Sequence, residues 1–302
     1  MMFAMMRLPA SASRKAGMGL AQHLQRTGGS NGKPLARFSH RSCTVHSHAT
    51  DLSNREKACL PMAAILHDVV FLIDVDNTLL DNDRILADLR DHLIQEFGVA
   101  CSGRYWTLFE KLRDELGYAD YLGALQLYRK EVEGKGIHAQ ALLQMSSFLV
   151  DYPFQDRVYP GALDALARMH KLGPTVILSD GDVVFQPRKI QRSGLWRAVE
   201  GRVLIYVHKE LMLDEVRRTF PARHYVIVDD KPRILGALKV AWGDDVTTIF
   251  PRQGHYALDT IEAAKYPAPD IVVDHIGDLA RTNIAGWFPP GAPHDKANTT
   301  TA

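Results

Sequence analysis

The segment Val69-Val70-Phe71-Leu72-Ile73-Asp74-Val75-Asp76-Asn77-Thr78-Leu79-Leu80 sets five consecutive apolar residues directly before two carboxylates spaced two apart. A short unbroken apolar run is what a strand buried on both faces of a parallel sheet requires. Similar runs recur at residues 175–178, 203–207, 225–228, 246–250 and 270–273, and helical patterns at 160–172, 210–220 and 232–242 lie between them. This alternation predicts an α/β fold, a doubly wound parallel sheet of Rossmann-like type with right-handed crossovers and ligands at the carboxyl ends of its strands.

One interval breaks the rhythm. Residues 83–155 carry no strand signal, only apolar residues at helical spacing in about four segments, such as Ile85, Leu86, Leu89, Leu93 and Ile94, then Tyr105, Leu108, Phe109 and Leu112. They predict an inserted helical unit, with residues 66–82 and 156–286 forming the α/β core. Residues 1–65 are rich in Ser, Gly, Arg, His and Met without hydrophobic periodicity and read as a disordered leader. Met62 lies just before the first strand, and a chain starting there loses nothing the fold needs, so an overextended start is expected. An organellar transit peptide is the alternative, since residues 1–50 hold seven Lys/Arg and no Asp/Glu. Residues 287–302 read as a second tail.

Composition narrows the class. The 302 residues are 46% hydrophobic and 24% charged, ordinary for a globular protein. Beyond residue 50 the chain has 29 basic against 35 acidic residues, which argues against nucleic acid as a partner. Nothing approaches the length of an apolar membrane span, so no membrane association is expected, and the expected compartment is the cytoplasm. The three cysteines, Cys43, Cys59 and Cys101, are too scattered for a disulfide framework or a zinc site.

The chemistry gathers at strand ends. Asp74 and Asp76 close the first strand, and carboxylates that near repel unless a cation or a shared proton relieves them, which a divalent metal does naturally. The strand at 175–178 ends in Ser179-Asp180-Gly181-Asp182, offering a hydroxyl and, at Gly181, a backbone N–H for an anion. The strand at 203–207 ends in His208-Lys209-Glu210, and that at 225–228 in Asp229-Asp230-Lys231. Lys189, about ten residues after Ser179 and inside a helical stretch, competes with Lys209 as the functional cation. Tyr118 and Tyr121 face either the substrate or the core. Arg188, Lys189 and Arg192 are read as an exposed charged face, with binding of a second anion the alternative.

In these positions the sequence resembles the haloacid dehalogenase superfamily, whose four signatures would be Asp74-Val75-Asp76-Asn77-Thr78, Ser179, Lys209 and the pair Asp229-Asp230, across residues 67–282. The resemblance implies a cap inserted after the first strand. It makes Asp74 a nucleophile and Asp76 the acid and base that protonates the leaving oxygen and then activates water. Thr78 and Ser179, with Asp180 beside them, would hold the substrate's phosphoryl group, and Lys209 would neutralise charge on it and on Asp74. Mg2+ would be held by Asp74, the Asp76 carbonyl and the second acidic pair, with Asp230 favoured over Asp229 as direct ligand and the choice left open by sequence. Members that cleave carbon–halogen bonds lack an acid two residues after the nucleophile, and ion-pumping members carry Lys directly after it, where this chain has Val75. The expected activity is therefore Mg2+-dependent hydrolysis of a small phosphorylated metabolite through an aspartyl-phosphate. Phosphotransfer by a phosphomutase-like relative and an inactive binding scaffold are the alternatives.

Overall fold

The computed structural model describes residues 65–134, 139–258 and 260–287. The expectations for the leader and for the tail beyond residue 287 lie outside the described residues, as do Cys43 and Cys59; Cys101 is a free, half-buried thiol. No helix among the described residues is long and apolar enough to cross a membrane.

Six strands make one parallel sheet: β1 (His67–Ile73), β2 (Thr175–Asp180), β3 (Val203–Tyr206), β4 (Ala222–Val228), β5 (Val246–Pro251) and β6 (Ile271–Val273). Every apolar run singled out in the sequence forms one of them. Their order is β3-β2-β1-β4-β5-β6, so the winding reverses between β1 and β4, where such sheets open a crevice for ligands. Ile73 pairs with Val228 of β4, which brings the ends of β1 and β4 to one level, and with Ile177 of β2, a strand that continues to Asp180. Alternation along β1 builds the two-sided core: Val69, Phe71 and Ile73 join one apolar cluster, Val70 and Leu72 the other.

Between β1 and β2 the chain first forms α1 (Asn82–Leu116), α2 (Tyr121–Val132) and α3 (Ala139–Asp151). Gly98, at φ 80° and ψ 165°, breaks α1 into two segments, because a non-helical backbone of that kind suits a residue without a Cβ. Asp81 and Asp120 start α1 and α2 by accepting bonds from the amides of Arg84 and Gly123. The helical-period residues Ile85, Leu89, Leu93, Tyr105, Leu108 and Phe109 are buried, and they share one apolar cluster with the β1 face that carries Phe71.

The remaining α-helices among the described residues are α4 (Ala162–His170), α5 (Phe185–Arg192), α6 (Leu195–Ala198), α7 (Leu213–Thr219), α8 (Pro232–Trp242) and α9 (Thr260–Ala263). The pattern at 210–220 predicts one helix, but Lys209–Leu211 forms a tight 3-10 turn and α7 begins only at Leu213. The Lys209 amide is held at 2.8 Å by Asp180 Oδ1, which fixes the backbone there before a helix can start. Pro232 opens α8, where its missing N–H costs no helical bond.

An aromatic chain joins the inserted helices to the core. Phe109 stacks on Tyr121 at 4.8 Å; Tyr121 meets Phe185 of α5 at 5.1 Å, Phe185 meets Phe154 at 5.9 Å, and Phe154 meets Tyr152 at 5.1 Å. Arg188 and Arg192 of α5 both reach Asp151 and the last carbonyls of α3, where cations favour the negative end of a helix. They are thus occupied in holding α3. Phe154 is fully buried in this chain of rings. Phe154→Ala is expected to cost about 3–5 kcal/mol, read as a lower midpoint in chemical denaturation at unchanged slope; a loss below about 1 kcal/mol would show that the ring carries little of the core.

Candidate active site

Asp74 extends the β1 ladder by one residue, its amide donating to Val228 O at 2.9 Å. That places its carboxylate beside the end of β4, where Asp229 and Asp230 follow immediately. The three carboxylates are buried to within 2% exposure and offer oxygens that all lie within 4.8 Å of one another. Burial of three such groups is tolerated only with compensation.

Lys209 provides part of it. Its fully buried ammonium lies 2.5 Å from Asp74 Oδ1 and 2.6 Å from Asp229 Oδ2, and donates to Leu178 O at 3.2 Å. Burial alone pulls its pKa down, but Asp229, Asp74 and Asp180 outweigh that and hold it well above the ordinary lysine value. The compensation is incomplete. Burial, with Asp74 and Asp229 adding to it, pushes the pKa of Asp230 well above the carboxylate range. Burial also raises that of Asp229, against the pull of Lys209.

The two members of the second acidic pair differ in their partners. Asp229 has Lys209 at Oδ2, while Oδ1 accepts from the Lys231 amide at 2.8 Å. Both oxygens of Asp230, and Oδ2 of Asp74, are buried with no hydrogen-bond partner among the described residues. An all-oxygen set with orphaned, converging carboxylate atoms fits a hard divalent cation. Asp230 and, through Oδ2, Asp74 are free to ligate it, whereas both oxygens of Asp229 are engaged, by the Lys209 ammonium and the Lys231 amide.

The turn after Asp74 is tight. The amides of Thr78, Leu79 and Leu80 all point at Val75 O, and Asn77 takes a positive φ of 60°, a conformation that asparagine tolerates. Its side-chain oxygen accepts from the amides of Asn82 and Asp83, binding this turn to the first residues of α1. Thr78 is fully buried, with Oγ1 accepting from the Asp230 amide at 3.0 Å, so it ties the ends of β1 and β4 together. Gln253, after β5, braces the same turn through Thr78 O at 3.2 Å.

Asp76 points to different company. Lys189 Nζ lies 2.7 Å from its Oδ1, and Gln186 Nε2 lies 3.2 Å from its Oδ2 and 2.9 Å from Ser179 Oγ. Asp180 supports the turn that carries Lys209 through its amide. Asp182 closes the turn before α5, accepting from the amides of Val184 and Phe185. The Gly181 amide, expected as an anion donor, instead donates to Tyr206 O at 2.9 Å, because the β2–β3 ladder runs on past Asp180.

The structure thus brings together Asp74, Lys209, Asp229, Asp230 and Thr78, with Asp76 and Ser179 joined through Gln186. Lys189 and Lys209 are both buried, Lys209 against Asp74 and Asp229 and Lys189 against Asp76, so the two lysines that competed in the sequence meet different carboxylates. Helical spacing signals this: Phe185, Gln186, Lys189 and Ile190 share the buried face of α5. Gln186, Gln253 and Lys231 carried no comparable signal. Tyr121 is packed in the aromatic chain, while Tyr118 lines a cavity of about 380 Å³ with Asp120, Leu122, Gln126, Asp182 and Val184.

The model of the family described as haloacid dehalogenase-like hydrolase matches residues 69–241. A haloacid dehalogenase-like hydrolase from Burkholderia xenovorans LB400, of known structure, is 65% identical; the match covers 72% of this chain and 99% of that one, with a TM-score of 0.67. A haloacid dehalogenase-like family hydrolase from Xanthomonas campestris shares the fold at 17% identity, covering 73% of this chain and 91% of its own, with a TM-score of 0.50. An L-2-haloacid dehalogenase from Xanthobacter autotrophicus, with chloropropionic acid covalently bound, is 20% identical over 74% of this chain and 100% of that chain, at a TM-score of 0.46. Comparison with curated proteins gave no match. The family model spans more than half of the sequence and includes the ends of β1, β2, β3 and β4, so the chain belongs to the haloacid dehalogenase-like hydrolases.

Proposed function

We propose that this hydrolase is a magnesium-dependent phosphatase that cleaves a small phosphate monoester through an aspartyl-phosphate on Asp74. The observation that carries this is the pair of buried, unpartnered oxygens on Asp230 facing Asp74, a deficit of positive charge that a hard cation removes. Asp74, Asp230 and the Asp76 carbonyl are the proposed ligands, with Asp229 behind them. Bound there, magnesium would offset charge on the phosphoryl oxygens.

The chain's own residues supply the rest. Asp74 attacks phosphorus; the bond from phosphorus to the ester oxygen breaks as Asp76 gives that oxygen a proton, and the alcohol leaves. Water then attacks the aspartyl-phosphate, its proton passes to Asp76, and the bond between Asp74 and phosphorus breaks. Lys209 holds Asp74 in line and meets the charge on the phosphoryl group, while Ser179 borders the same crevice. An acid two residues after the nucleophile has a task when the leaving atom is an oxygen and none when it is a halide. This supports ester cleavage over dehalogenation.

The cavity walled by Tyr118, Leu122 and Val184 begins where β2 ends, directly after Ser179 and Asp180, and its size suits a small leaving group. Among the described residues no Lys or Arg lines it, so a second phosphate would find no counter-charge from them. We assign to it the alcohol part of a soluble monophosphorylated metabolite, with neither nucleic acid nor membrane as partner.

With Mg2+, the enzyme is expected to release phosphate from 4-nitrophenyl phosphate and from at least one member of a panel of sugar, nucleotide and hydroxy-acid monophosphates. Asp74→Asn should abolish this, and Asp76→Asn should lower turnover of alkyl phosphates by about 10²–10⁴-fold. Chloride release from 2-chloropropionate without phosphate release from any ester would overturn the assignment. Metal binding has its own readout: Mg2+ at about 100 times its Kd should stabilise the protein by about 2.7 kcal/mol, seen as a higher Tm. Asp230→Asn should lose that gain, and a wild-type Tm indifferent to Mg2+ would refute the metal site.

A further inference from the structure

Lys189 has no part in the steps above, yet its side chain is 1% exposed and holds the carboxylate on which both proton transfers depend. A buried ammonium is costly to keep, and its surroundings show how it is kept. It donates to Asp76 Oδ1 at 2.7 Å and to Asn82 Oδ1 at 3.2 Å, and lies 5.6 Å from the ring centre of Phe185. Gln186, one turn earlier on α5, takes the other oxygen of Asp76 and reaches Ser179. The Asp76 carboxylate is therefore gripped at both oxygens from α5, while its side chain remains 24% exposed on the open side. The same ammonium touches Asn82, the first residue of the inserted helices.

We propose that Lys189 is a positioning residue for the second half of the reaction, holding the Asp76 carboxylate where it takes the proton of the water that attacks the aspartyl-phosphate. In that step a bond forms from the water oxygen to phosphorus, the bond from Asp74 to phosphorus breaks, and the proton moves to Asp76. The first half depends on Lys189 much less when the leaving group is 4-nitrophenolate, which departs without a proton. The inference rests on the phosphatase assignment above.

The test compares wild type with Lys189→Met and Lys189→Arg on 4-nitrophenyl phosphate and Mg2+. For Lys189→Met, kcat is expected to fall by about 30–100-fold and KM by a similar factor, leaving kcat/KM within about threefold. The slowed protein should accumulate a phosphoryl group on Asp74, seen by mass spectrometry after acid quench, and Lys189→Arg should restore part of kcat. Equal losses in kcat and kcat/KM, or no loss in either, would overturn the proposal. A crystal structure of Lys189→Met gives a readout that needs no turnover: the Asp76 side chain should leave its place while Asp74, Lys209 and Asp229 keep theirs. An unmoved Asp76 would overturn the positioning role. Absence of ester hydrolysis in the wild type would instead count against the phosphatase assignment.

Discussion

Everything at this site follows from an excess of buried negative charge where β1 and β4 end side by side. Three carboxylates face one another within a few ångströms, and the Lys209 ammonium touches two of them. In water the repulsion between such groups is slight, but inside the sheet it is large, and neither Asp74 nor Asp230 can turn away to solvent. The parallel ladder prevents relaxation, since Asp74 is itself hydrogen-bonded to Val228 and Asp230 to Thr78. A rigid frame that keeps like charges together favours a cation, and in the proposed metal site the unpartnered oxygens of Asp230 are the atoms that would meet it.

The parts of the fold that declare themselves in the sequence do so because their burial is complete. A strand covered on both faces needs an unbroken apolar run, so β1 and its neighbours stand out without any knowledge of what covers them. Acidic groups placed directly after such runs must lie at strand ends, which is why Asp74, Asp229 and Asp230 were legible as a cluster. What escaped was decided by packing between distant segments. Whether the Gly181 amide is free depends on how far β3 accompanies β2, and the bond from the Asp230 amide to Thr78 Oγ1 depends on the closeness of two loops 152 residues apart. Lys189 lay between these cases: its helical face was readable, but the carboxylate it meets was not.

The inserted helices are not a separate body resting on the sheet. Their apolar residues belong to the same cluster as Phe71 and Ile73, and rings from Phe109 to Tyr152 pass through Phe185 of the core without a gap. Asn77 and Asn82 place the root of α1 within hydrogen-bonding reach of the turn after β1. A displacement of these helices would therefore act first on the Asp76 side of the site, through Asn82 and Lys189. Asp74 is insulated from it, being fixed by the sheet and by Lys209.

That difference bears on how one short turn presents two carboxylates for the two tasks proposed for them. Asp74 and Asp76 are separated by a single residue, and on an extended strand they would share a face and compete for the same cation. The turn that closes on Val75 O, with Asn77 in a left-handed conformation, removes Asp76 from the strand direction. Each acid then meets its own ammonium, Lys209 rooted beyond β3 and Lys189 rooted in α5. On the proposed phosphatase reading, Asp74 as nucleophile must stay fixed and dry, whereas Asp76, giving and taking a proton, must reach both the leaving oxygen and water. Two acids with one shared partner could not satisfy both demands, and the division of the two lysines between them would permit it.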